Sequence, residues 1–109
     1  FEDAVRKNIK KITNIDYTKI GRWWYKDQEI YLITLNENTK EIEFFECKWK
    51  NLGYKQSLTI LEKLKEKAGF VEWQNKKRIE HYGLIVKNIE QKNDLRKQGY
   101  FVYDLEDWK

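Results

Sequence analysis

Residues 41–49 read Glu41-Ile42-Glu43-Phe44-Phe45-Glu46-Cys47-Lys48-Trp49, and this stretch decides the fold. A run so rich in aromatic and β-branched residues forms a strand. Alternation places Ile42, Phe44, Glu46 and Lys48 on one face and Phe45, Cys47 and Trp49 on the other. Glu46 and Lys48 are thus two charges on one face of an otherwise apolar strand. Unpartnered buried charge is costly, so they must pair, reach a rim or line a site. The plainer reading is a strand end that emerges into solvent at Lys48-Trp49-Lys50.

Working upstream, Lys19–Lys26 and Glu29–Leu35 have the same strand composition. Asp27-Gln28 suits a hairpin, and Asn36-Glu37-Asn38-Thr39 a longer turn, which predicts an antiparallel meander of three strands. Residues 1–13 carry Phe1, Ala4, Val5, Ile9 and Ile12 at helical spacing and predict an amphipathic helix. Downstream, Tyr54–Ala68 is a second helix with Leu58, Leu61 and Leu64 inward and Gly69 as its cap. Phe70–Arg78 fits neither pattern. Tyr82–Lys87 is an apolar strand, a short helix runs from Asn93 to Gly99, and Tyr100–Asp104 is the last strand. Covered apolar strands joined through helices pair in parallel. The expected fold is α/β: an α-β-β-β-α-β-α-β order with a mixed sheet flanked by helices.

At 109 residues, with 40% hydrophobic and 16% aromatic residues, the chain has material for one domain and one core. No apolar run approaches the roughly 20 residues needed to span a bilayer, so no membrane association is expected. A single cysteine allows no internal disulfide and points to a reducing cytoplasm. The absence of proline and the abundance of Lys and Glu lean towards a thermophile. The net charge of +4 permits contact with DNA, but basic and acidic residues interleave along the chain without a stripe. No glycine-rich phosphate loop occurs.

The αβββαβ order, with Glu-x-Lys at the end of the third strand, resembles the PD-(D/E)XK restriction-endonuclease-like superfamily. More specifically, GRWWYKDQEIYLITLNENTKEIEFFECKWKN followed by YKQSLTILEKLKEKA is similar to the C-terminal domain of archaeal P-loop ATPases. That resemblance implies that residues 1–109 form one nuclease-like domain, the C-terminal part of a longer ATPase. It also implies a Mg²⁺ or Mn²⁺ site, because several hard oxygen ligands and a nearby cation serve phosphodiester hydrolysis. By position Glu46 and the first-helix Glu2 become metal ligands, and Lys48 the residue that polarises water or stabilises charge. Gln56, early in the following helix, stands where many members carry a helper glutamine.

Tyr31 departs from the pattern. The resemblance leads one to expect aspartate there, and a phenol is a poor, bulky replacement for a ligand of Mg²⁺. Glu29 lies on the same face about 7 Å along the strand and is the alternative ligand. The degenerate position makes a non-catalytic, or at most weakly catalytic, accessory domain the leading expectation, one that binds DNA across the old active-site face or another protein domain. An active Mg²⁺-dependent endonuclease and a protein-interaction or homo-oligomerisation module controlling the ATPase are the alternatives. Glu2 also suits the helix dipole, and Gln56 an ordinary solvated helix position.

Cys47 reads as a small buried hydrophobe, and His81 as a surface or strand-edge residue with no partner spaced for zinc. Trp23 and Trp24, being adjacent, must face opposite sides of their strand. Core packing is expected for most of Trp23, Trp24, Tyr25 and Trp49, with stacking on single-stranded nucleic acid as the functional alternative.

Overall fold

A computed structural model describes residues 2–11 and 16–108, apart from the side chains of residues 2, 3, 11 and 108. Helix α1 (Glu2–Asn8) tightens into a 3-10 turn at Ile9–Lys11. Val5 and Ile9, one helical repeat apart, are buried, as the spacing predicted, whereas Ala4, placed on the same face by that spacing, is exposed. Ile12 and Thr13, the expected end of this helix, lie outside the described residues.

Strands β1 (Lys19–Tyr25), β2 (Gln28–Asn36) and β3 (Glu41–Leu52) form the antiparallel meander. Helix α2 (Tyr54–Ala68) crosses to β4 (Ile79–Ile89), which pairs in parallel with β3. Helix α3 (Lys92–Lys97) then leads to β5 (Phe101–Tyr103), parallel to β4, and a 3-10 turn follows at Leu105–Trp108. The sheet order is β1-β2-β3-β4-β5. The expected mixed sheet flanked by helices is present.

The alternation read from β3 holds. Phe44 packs with Leu61, Leu64, Leu84 and Val86 on the α2 face. Phe45 and Cys47 pack with Val5, Ile9 and Ile85 on the α1 face. β3 and β4 run longer than expected because Asn51-Leu52 and Ile79–His81 are carried into the ladder by pairing with each other's strand. The ambiguous stretch 70–78 is tied down by one side chain. Arg78 donates to the carbonyls of Ala68, Val71 and Trp73, closing the end of α2 that Gly69 caps. Gly69 has φ −61°, so its left-handed freedom goes unused, whereas Gly99 ends α3 at φ +95°.

The far edge of the sheet is closed by an ionic clamp. Asp104, 2% exposed, accepts from Lys92 Nζ at 2.8 Å and from the Glu106 amide at 3.1 Å. Asp107 accepts from the same ammonium at 3.1 Å, from Arg96 at 3.1 Å and from the Asp104 amide at 2.9 Å. Burial works against the Asp107 carboxylate, but the Asp104 amide, Arg96 and Lys92 outweigh it and hold its pKa below the ordinary 3.8. Burial likewise opposes the Lys92 charge, yet the two aspartates raise its pKa above 10.5.

These shifts set the pH response through proton linkage. The Asp107 contribution is fully present above 3.8 and is lost as pH falls through its lowered folded value. The Lys92 contribution is fully present below 10.5 and is lost as pH rises through its raised folded value. Thermal melts across pH should therefore show a shallower acid decline for Asp107→Asn than for the native chain. Superimposable acid limbs would refute the clamp.

Candidate functional site

Glu46 and Lys48 share the α2 face, as alternation required. Glu46 Oε1 accepts from Lys67 Nζ at 3.0 Å, and the same ammonium donates to the Glu29 carbonyl at 3.1 Å. Lys67 sits in the last turn of α2, where a cation suits the helix dipole. It straps the helix to β2 and β3 and neutralises Glu46. Lys48, two residues on and partly exposed, forms no ion pair among the described residues.

Tyr31 is on the opposite face. Gly21 pairs with Ile33 but Trp23 pairs with Ile30, so two β1 steps span three β2 steps. Tyr31 and Leu32 together oppose Arg22 in a β-bulge, which turns both towards the α1 face. Leu32 there joins Val5, Ile9 and Phe45, with Tyr31 packed alongside. The guanidinium of Arg6 lies 5.1 Å from the Tyr31 ring centroid and that of Arg22 5.2 Å. Arg6 also donates to the Tyr31 carbonyl at 2.7 Å. Glu29 pairs with Arg22 at 3.2 Å on this same side. The expected convergence of Glu29, Glu46 and position 31 is thereby corrected: the sheet separates their side chains, and the bulge is the reason.

Gln56 has a different task from the expected one. Its Oε1 accepts from the Gly53 amide at 3.0 Å, satisfying a donor at the start of α2. Gly53 is seven residues beyond Glu46, about 20 Å along an extended strand, so Gln56 is not brought to the Glu-x-Lys pair. The Glu2 side chain lies outside the described residues. Among the described residues no three Asp, Glu, His or Cys side chains are grouped to hold a metal ion. With Glu46 bound by an ammonium, and Glu29 and Tyr31 across the sheet, the described residues do not fit a Mg²⁺ or Mn²⁺ centre.

What converges instead is an aromatic and basic surface on the α1 face. β1 and β3 run in the same direction, so the hairpin turn at Lys26-Asp27 and the C-terminal ends of β3 and β4 share one end of the sheet. Here Trp24 is 65% exposed with the Arg22 guanidinium 5.7 Å from its ring centroid. A second bulge lies on β3, because Lys48 pairs with Val86 and Asn51 with Asn88. Trp49 and Lys50 thus both oppose Lys87, whose ammonium is 5.4 Å from the Trp49 centroid. Only Trp23 of the four aromatics joins the core; Trp24, Tyr25 and Trp49 are each at least half exposed, against the expectation of core packing.

Sequence reasoning passed over Glu43, Lys67, Arg6 and Asp104. Glu43 is fully buried on the α1 face and accepts from Thr34 Oγ1 at 2.6 Å. Its charge adds to burial in pushing the Tyr103 hydroxyl pKa up to about 12. An acidic residue between Ile42 and Phe44 was the available signal, since both faces of β3 are covered. His81 is partly buried, 3.0 Å from Glu41 and stacked on Phe101.

Fold and surface together define a mixed α/β domain with two covered sheet faces and a strongly aromatic, basic end. The chain belongs to the DUF234 family, archaeal and bacterial proteins of unknown function, which matches residues 1–81. It is 36% identical over 92 residues to an uncharacterised protein of Methanocaldococcus jannaschii, covering 84% of this chain and 20% of that protein. The chain thus spans about a fifth of that relative's length. No solved structure matches it. Among the described residues no helix is long and apolar enough to cross a membrane.

Proposed function

We propose that this is a nuclease-fold accessory domain of a P-loop ATPase that binds nucleic acid and does not cleave it. The observation that carries the reading is the ammonium of Lys67 on Glu46, a carboxylate that catalysis would need free for a cation. The bulge supports it, because it removes position 31 from the face that bears Glu46 and Lys48. The exposed tryptophans with their flanking cations support the binding role. Association with an ATPase domain rests on the resemblance of residues 21–51 and 54–68 alone.

The test is incubation with single- and double-stranded DNA in Mg²⁺ or Mn²⁺, beside a Lys48→Ala control, with anisotropy titrations at graded salt. The expected result is binding that weakens as salt rises, and no cleavage above background. Metal-dependent cleavage that disappears in Lys48→Ala would make the chain an active endonuclease. A second reading, self-association, is favoured by the half-exposed Tyr25 and Phe70 rings, stacked 6.3 Å apart beside the open edge of β1. Sedimentation as a dimer together with undetectable DNA affinity at low salt would favour it.

A further inference from the structure

We infer that the partner is single-stranded nucleic acid, and that it lies across the α1 face at the turn end of the sheet, not over the Glu-x-Lys pair. This deepens the nucleic-acid reading and rests on it. Trp24 and Trp49 stand on β1 and β3 towards the turn end of the sheet, beyond the last β2–β3 pair at Leu32 and Phe45. Both rings are at least half exposed, and each carries a cation over it, Arg22 on Trp24 and Lys87 on Trp49. A flat ring flanked by a cation offers a base its stacking partner and the adjacent phosphate its counter-charge in one unit. Two such rings stand on this face; Arg22 is already paired with Glu29, so the unpaired counter-charge comes from Lys87. Arg6 lies between them by way of Tyr31, and Lys50 beside the second.

At the turn end Lys26, Lys48, Lys50 and Lys87 form no ion pair among the described residues and outnumber Asp27 and Glu90 there, which leaves a modest positive excess for phosphates. The β3 bulge is what sets Trp49 and Lys50 together opposite Lys87. A duplex keeps its bases stacked inside and could use the cations but not the exposed rings, so the rings select for single strands.

The experiment titrates the chain into fluorescein-labelled oligo-dT, an RNA strand of equal length and a duplex, with melts of each variant to verify folding. Trp24→Ala and Trp49→Ala should each weaken single-strand binding about tenfold, as loss of one stacked base does. The double variant Lys50→Ala/Lys87→Ala should flatten the slope of log affinity against log salt by about one unit. Lys63→Ala, which removes a charge on exposed α2, should leave affinity unchanged. Native binding with all rim variants unaffected, or tighter binding to the duplex, overturns this placement while leaving nucleic-acid binding intact. No binding by the native chain at low salt overturns both.

Discussion

Gly83→Ala is expected to lower the melting temperature by about 15 °C, corresponding to roughly 3 kcal/mol in a domain of this size. Gly83 lies in the middle of β4, between β3 and β5, and pairs with Phe45 on one side and Phe101 on the other. An added Cβ would stand 2.5 Å from Phe45 Cε1 and closer still to the Phe101 carbonyl oxygen. Neither obstacle is free to move. The Phe45 ring is fully buried, and the Phe101 carbonyl belongs to an adjacent strand. A close-packed interior transmits such a clash to its neighbours. A double-mutant cycle separates the two contacts, because Phe45→Leu removes the ring but not the carbonyl. The cost of Gly83→Ala should be smaller in that background without vanishing. A Gly83→Ala melting curve within 2 °C of the native one, a margin of about 0.5 kcal/mol, would refute this account.

Asp104→Ala should cost about 3 kcal/mol, the lower end of the range for breaking a buried ion pair, because Lys92 keeps Asp107. The carboxylate joins three elements. It accepts from Lys92 of α3, from the Glu106 amide in the final turn and, at 3.4 Å, from the Ile89 amide at the end of β4. Asp104→Asn keeps an acceptor for the amides but not the charge, so its loss should be intermediate. Asp107→Ala, at the more exposed partner, should cost less than Asp104→Ala. Urea denaturation of the three variants gives the order directly. Equal midpoints for Asp104→Ala and Asp107→Ala would show that burial of Asp104 is not what matters.

The two variants probe different kinds of information. Gly83 stands in a run, Tyr82-Gly83-Leu84-Ile85-Val86, that reads as a strand whatever surrounds it. That its glycine is required depends on the phenyl ring 38 positions earlier. Asp104 reads as the polar end of a short strand, and nothing local reveals that it is 2% exposed. Lys67 is one of many helix lysines until α2 lies down on β2 and β3 and brings it to Glu46, 21 residues away.

Local periodicity alone determined the order of strands and helices, the two-faced character of β3, the burial of Cys47 and the division of Trp23 from Trp24. Each depends on how successive residues point along one element, and that geometry is a property of the backbone itself. Register between strands was decided only in the tertiary structure. A bulge exists when two strands advance by unequal steps, so neither strand encodes it alone. The bulge at Tyr31-Leu32 turned a would-be metal-site position to the α1 face, and the one at Trp49-Lys50 assembled an aromatic and basic rim there. Both depend on the balance of packing across the whole sheet, which no single segment carries.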